Sequence, residues 1–260
     1  MRRKILVVTA LLTLVGASAA YAAAINNYAG SSLAFKKGAG TKAKPLGVGF
    51  KEVLNAKNND ASKAAAVLVD VKVKIYGLVS NSKAFPTCSA TKMVTLKSDS
   101  FCPKKSKFAT GQVNALLGDP TLAKGNRVPC NPGLDVFNAG KNKLWFFFTT
   151  KTSADCVGLH TGDTAPYPAT IKQQGKFQVT DVPLPADVST RVANQPNFYG
   201  SLIHQTLTWA KLSTKVKGKN VLANESVGCL KGKRPWSITF TATTNGSNRF
   251  SNTVSGSSKC

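Results

Sequence analysis

The sequence predicts an all-β protein, an antiparallel β-sandwich of immunoglobulin-like or jelly-roll-like kind, built as one large sandwich or as two smaller ones. Three observations carry this. Apolar residues alternate with polar ones at a period of two in several segments, as half-buried strands require. Clusters of Gly, Pro, Asn and Ser separate these segments. Six cysteines, an even number, accompany an N-terminal pattern typical of export, the setting in which disulfides staple β-rich domains.

From the N-terminus, Arg2, Arg3 and Lys4 precede an apolar run over residues 5–15, and Ala20-Tyr21-Ala22 supplies a small-x-small cleavage pattern. This reads as a signal peptide over residues 1–22, with Ala23 the first mature residue. Eleven apolar residues are too few for a membrane span, which needs about 20. The mature chain then divides into a β-rich first half, 23–155, and a β-rich second half, 156–260. The division falls where Asp155, Gly158, Gly162, Asp163, Pro166 and Pro168 interrupt the pattern, and the halves are also compatible with a single sandwich.

Residues 45–54 predict an early strand. Residues 60–67 contain three consecutive alanines and could start a helix. Val67, Val69, Val71, Val73 and Ile75 then lie on one face of a strand, with Leu68, Asp70, Lys72, Lys74 and Tyr76 on the other. Residues 113–117 allow one short turn. Residues 144–150 (Leu-Trp-Phe-Phe-Phe-Thr-Thr) form a continuous apolar strand, which predicts cover on both faces. Phe177, Val179 and Asp181 mark a strand closed by Pro183 and Pro185. Residues 202–212 and 250–254 are Thr-rich or alternating and extended. Trp236, Ile238, Phe240 and Ala242 alternate with Ser237, Thr239 and Thr241, placing Ile238 and Phe240 inward.

The turns order the cysteines. Asn245-Gly246 is a strong hairpin signal because both residues tolerate positive φ. Cys229 lies 16 residues before Asn245 and Cys260 lies 14 after Gly246, nearly opposite each other. Cys130 and Cys156 bracket a second hairpin around Ala139-Gly140, and Cys88 and Cys102 close a short loop. Three sequential bridges are therefore expected: Cys88–Cys102, Cys130–Cys156 and Cys229–Cys260. No C-x-x-C spacing is present, and the only histidines, His160 and His204, are isolated, so the pattern does not point to zinc.

Phe85-Pro86-Thr87-Cys88, followed by Cys102-Pro103, Ser106 and Gly111, then Val136-Phe137-Asn138, and later Cys229, Gly232, Pro235-Trp236, Phe240 and Cys260, resembles a group of secreted bacterial β-sandwich proteins. The resemblance spans about residues 30–260. It implies secretion and a β-sandwich, with counterparts of Cys88–Cys102 and Cys229–Cys260, and marks Cys130 and Cys156 as an additional pair. It brings no catalytic residue with it.

The chemistry-bearing residues are few: two His, two Glu and nine Asp. His160 stands in a Gly-rich loop near Asp163, and His204 in an extended segment. A hydrolase using either one is the alternative reading, but no G-x-S-x-G elbow accompanies them. Ser89-Ala90-Thr91-Lys92 matches the S-x-x-K spacing of serine acyl enzymes without their other motifs. A glycosidase needs two carboxylates flanking a cleft; Glu52 and Glu225 are far apart in sequence, and Asp155 and Asp163 have no aromatic platform beside them. Phosphate-loop, dinucleotide and calcium-loop fingerprints are absent, so no cofactor is implied.

Charge is the strongest signal. The 260 residues carry 35 Lys and Arg against 11 Asp and Glu, a formal charge of +24. Beyond the signal segment the cations are 28 lysines and four arginines: Arg127, Arg191, Arg234 and Arg249. Sequence-specific nucleic-acid recognition favours arginine forks, whereas dispersed lysines act as point charges. The expected function is that of a secreted, non-catalytic basic protein that associates weakly and electrostatically with anionic cell-envelope or extracellular polymers. The densest clusters, Lys104, Lys105 and Lys107 with Lys231, Lys233 and Arg234, are the expected contacts.

Overall fold

A computed structural model describes residues 25–36, 38–152, 155–156, 159–244 and 248–260. The signal segment 1–22 and the Asn245-Gly246 turn lie outside the described residues. The fold is all-β and antiparallel. Twelve strands form the main sheet: β1 (Ser32–Phe35), β2 (Phe50–Asn55), β3 (Val67–Tyr76), β4 (Lys107–Gly118), β5 (Val128–Cys130), β6 (Gly133–Gly140), β7 (Lys143–Thr149), β8 (Tyr167–Gln174), β9 (Phe177–Pro183), β10 (Tyr199–Trp209), β11 (Lys233–Thr243) and β12 (Arg249–Lys259).

Their spatial order is β12-β11-β3-β9-β8-β7-β6-β4-β10-β2-β1, with β5 added to β4. Strands from both halves of the chain interleave: β3 lies between β11 and β9, and β10 between β4 and β2. One sheet therefore unites the halves, in place of a sandwich for each. The sheet curls until its ends meet like the staves of a nearly closed barrel. There Gly38 N–H donates to the Cys260 carbonyl at 2.8 Å, and the Ser258 hydroxyl donates to the Leu33 carbonyl. Curling turns the apolar faces of most strands into a common interior, to which β12 adds only the partly buried Phe250 and Val254, and pairs most of what would be open edge.

The period-two segments become the interior. Val71, Val73 and Ile75 of β3 face inward opposite Phe240, Ile238 and Trp236 of β11. The alternation shifts at Val69, which is the extra residue of a β-bulge: Thr241 pairs with Asp70, but Ala242 pairs with Leu68. Leu68, rather than Val69, therefore joins the core, and the freed Val69 carbonyl accepts from Leu184 N–H at 3.0 Å.

Strand β7 is covered on both faces, as its composition requires. Leu144 and Phe146 enter the barrel core. Phe147 packs outward with Phe137, Met93 and Cys88 under α1 (Ala90–Leu96). The Ser89 hydroxyl accepts from Lys92 N–H at 3.3 Å and caps α1, so the S-x-x-K run is a helix start. The β6–β7 turn falls at Lys141 and Asn142, with φ of 50° and 62°, two residues beyond the expected Ala139-Gly140. Two other expectations give way. Residues 113–117 lie within the twelve-residue β4, and residues 60–67 form turns leading into β3 with no helix.

All three bridges are sequential: Cys88–Cys102, Cys130–Cys156 and Cys229–Cys260. The first holds α1 and its loop against β6 and β7. The second joins β5 to the segment after β7, where Cys130 and Cys156 also form a β-bridge. The third ties the end of β12 to the approach to β11.

Candidate functional site

The barrel interior contains a cavity with room for about 120 Å³ of water centres. For scale, an engineered cavity of about 150 Å³ lined by aliphatic and aromatic side chains stays dry and takes up benzene. The walls come from eight strands through the period-two logic above, among them Leu54 of β2, Val71 and Ile75 of β3, Val113 of β4, Phe146 of β7 and Trp209 of β10. At one end the cavity reaches the loop 159–164 and the 3-10 turn Ala186–Val188, with Leu159, Leu184, Val188 and Leu202 around it. The Cys130–Cys156 bridge lines the same end and fixes the loop to β5.

One carboxyl group interrupts these walls. Glu52 is 5% exposed and points inward from β2 between Phe50 and Leu54. Trp209 Nε1–H donates to its Oε2 at 3.2 Å, and Gln205 Nε2–H donates to its Oε1 at 3.4 Å. Both donors come from β10, four residues apart, an even spacing that puts them on the same face. No cation pairs with it among the described residues. Burial pushes the Glu52 pKa from 4.5 up to about 7, and the Trp209 hydrogen bond opposes the shift without cancelling it. Tyr167 lines the same space, and its phenol is also raised, first by burial and then by the Glu52 charge. A carboxyl held in an apolar cavity without a counter-ion is a recurrent mark of functional sites. The sequence carried a signal for it: in Phe50-Lys51-Glu52-Val53-Leu54, period two puts Glu52 on the apolar face. Glu225, considered with Glu52 for a glycosidase pair, is half-buried on the short strand Asn224–Ser226 and does not line the cavity.

The histidines separate. His204 sits on the outer face of β10, paired across the strands with Asn55, whose Oδ1 lies 2.7 Å from its Nδ1. His160 stands exposed on the cavity rim, with Asp163 Oδ2 3.4 Å from its Nδ1. Asp163 also accepts from His160 N–H at 2.7 Å, a hydrogen bond that lowers its pKa, with Lys97 adding to the effect. Neither ring is hydrogen-bonded to a hydroxyl or thiol among the described residues.

The two basic clusters divide into exposed and structural members. Lys104, Lys105, Lys231 and Lys233 are exposed and outside the ion pairs among the described residues. Lys107 is engaged internally, with Nζ 2.7 Å from Asp99 and 2.8 Å from Asp135. Burial pulls its pKa down, but the hydrogen bonds to Asp135 and Asp99 outweigh this, and the net direction is up.

Arg234, expected at the surface, is 1% exposed. Its guanidinium donates to Ser226 Oγ and the Gly38 carbonyl and lies 4.8 Å from the Phe35 ring centre. Its position on the inward phase of β11 explains the difference: Arg234, Trp236 and Ile238 share a face. Arg127 is likewise buried, holding Ser201 Oγ and the carbonyls of Leu116 and Tyr199.

Among the described residues no group of three or more His, Cys, Asp or Glu is arranged to hold a metal, and no helix is long and apolar enough to cross a membrane. No known protein family matches the chain, and no curated protein matches its sequence.

Proposed function

We propose that this is an exported binding protein whose barrel takes up a small, largely apolar molecule. The observation that carries the reading is the cavity itself, walled by core residues of eight strands and reaching a loop at one end of the barrel. A well-packed interior leaves few voids larger than a water molecule, so a space of this size in the core is a binding feature in need of an occupant. The hydrolase alternative has His160 and Asp163 at the rim, but among the described residues no hydrogen-bonded nucleophile accompanies them. The test is protein-observed NMR during titration with toluene. Saturable shifts confined to cavity residues such as Leu54, Val71 and Ile75 are expected, and their loss in Leu202→Trp, which fills the space near the loop. A folded protein that shows no cavity shifts up to the solubility limit of toluene would refute the proposal.

The exterior favours a second, compatible role. Exposed Lys104, Lys105, Lys231 and Lys233, on a chain of formal charge +24, support weak attachment to anionic envelope or extracellular polymers. Two of the four mature arginines are turned inside, which leaves the surface charge still more dominated by lysine. Such attachment is broad in specificity and salt-sensitive. Retention on isolated anionic polymer should fall steeply between about 50 and 200 mM salt; retention unchanged by salt would exclude it.

A further inference from the structure

Glu52 narrows the chemistry of the molecule that the cavity takes up. An ionised carboxylate offers about four acceptor positions and no donor. Two are used, by Trp209 Nε1–H on one oxygen and Gln205 Nε2–H on the other. Both donors belong to β10, so they hold the carboxyl from one side and fix its orientation. The remaining acceptor positions have no hydrogen-bond partner within the protein among the described residues, and Glu52 itself lines the cavity. An acceptor without a partner in such surroundings is costly, and a donor placed there is correspondingly rewarded.

Resting on the binding reading above, we propose that the cavity selects apolar molecules carrying one hydrogen-bond-donating group, a hydroxyl or an amine, which Glu52 receives while Leu54, Val71, Val73 and Phe146 enclose the apolar body. Trp209 and Gln205 act as positioning residues. An anionic ligand is disfavoured, because its charge would meet the Glu52 carboxylate in a medium that screens poorly.

Two ligands of nearly equal shape test this: p-cresol and toluene, titrated at pH 8 and followed by protein-observed NMR. A purely apolar cavity prefers toluene, because the cresol hydroxyl must be stripped of water for nothing. A cavity with a waiting carboxylate reverses the order. The expected result is that wild-type protein binds p-cresol at least about tenfold more tightly than toluene, as a hydrogen bond to a charged group allows. Glu52→Leu is expected to restore the preference for toluene. The wild-type comparison needs no variant, so the test survives if Glu52→Leu does not fold. Binding of both ligands with toluene the tighter would overturn the role of Glu52 and leave the binding reading standing. Binding of neither would overturn both.

Discussion

Replacing Glu52 by glutamine should make the protein less sensitive to pH and more stable above neutrality. In the unfolded chain this carboxyl titrates near 4.5, and in the fold near 7, because burial disfavours its charged form. Above pH 4.5 the unfolded chain releases the proton while the folded chain keeps it. The folded state therefore binds more protons throughout the window from 4.5 to 7, and stability falls as pH rises across it. A difference of two to three pKa units corresponds to about 3 kcal/mol, fully developed by about pH 8. A neutral glutamine escapes that penalty but replaces one carboxyl oxygen, an acceptor for Trp209 or Gln205, by an amino group, a loss of about 1 kcal/mol. Urea unfolding of both proteins at pH 4.5 and pH 8 provides the assay. At pH 4.5 the variant should equal the wild type or fall about 1 kcal/mol below it; at pH 8 it should exceed it by about 2 kcal/mol. Asp70 is also raised, by burial and then by Asp181, to about 6, but it is present in both proteins and drops out of their difference. Parallel stability curves with no crossing would refute the assignment of Glu52 as an unpaired carboxyl in an apolar interior.

Three further outcomes follow from the same geometry. Cys229→Ser should cost about 3 kcal/mol in urea unfolding, because the bridge closes 31 residues of chain and secures the end of β12; an unchanged midpoint would contradict that role. Arg234→Ala should destabilise by about 3 kcal/mol, since it leaves buried partners without a donor, and should not alter retention on anionic polymer. Replacing Lys104, Lys105, Lys231 and Lys233 together by glutamine should do the reverse: thermal unfolding is unchanged within about 0.5 kcal/mol per site, and the salt slope of polymer retention becomes shallower. Equal effects of the two sets on retention would show that the division into buried and exposed cations is wrong.

What was legible in the sequence follows from the range of the interactions concerned. Period two is a local property, and the inward phase of β11 and most of β3 could be read from it. The bulge at Val69 could not, because it reflects how Asp70 and Leu68 pair with a strand some 170 residues away. The bridges follow from turns that bring near neighbours together, although one turn is displaced by two residues to Lys141 and Asn142. Helix α1 is not evident in the sequence because Ser89-Ala90-Thr91-Lys92 fits a catalytic spacing as well as a cap and first turn. Arg234 was misplaced because a Lys-Gly-Lys-Arg run looks like surface, while the alternation beginning at Trp236, extended two residues back, puts it inside. Glu52 lay in plain alternation with Phe50 and Leu54. Its importance depends on Trp209 and Gln205, more than 150 residues away in the chain, and on the space between the sheet's opposite walls.

The interleaving of strands has a consequence for the order in which the molecule can form. A chain emerging from its N-terminus presents β3 long before β9 and β11, the two strands that flank it. Likewise β1 and β2 form a pair whose ladder continues into the sheet through β10, and whose other side meets β12 only at the closure of the barrel. Among the early strands, only the β1–β2 pair and β4 to β7 can assemble with near neighbours. Apolar edges on β2, β3 and β4 therefore stay unpaired until the last third of the polypeptide arrives. Pairings between such distant segments form slowly, and unpaired edges are the surfaces through which incomplete chains associate. For this protein the interval between first emergence and final closure is the vulnerable period. A companion that shields extended segments during that interval would affect yield far more than it would affect the stability of the finished barrel.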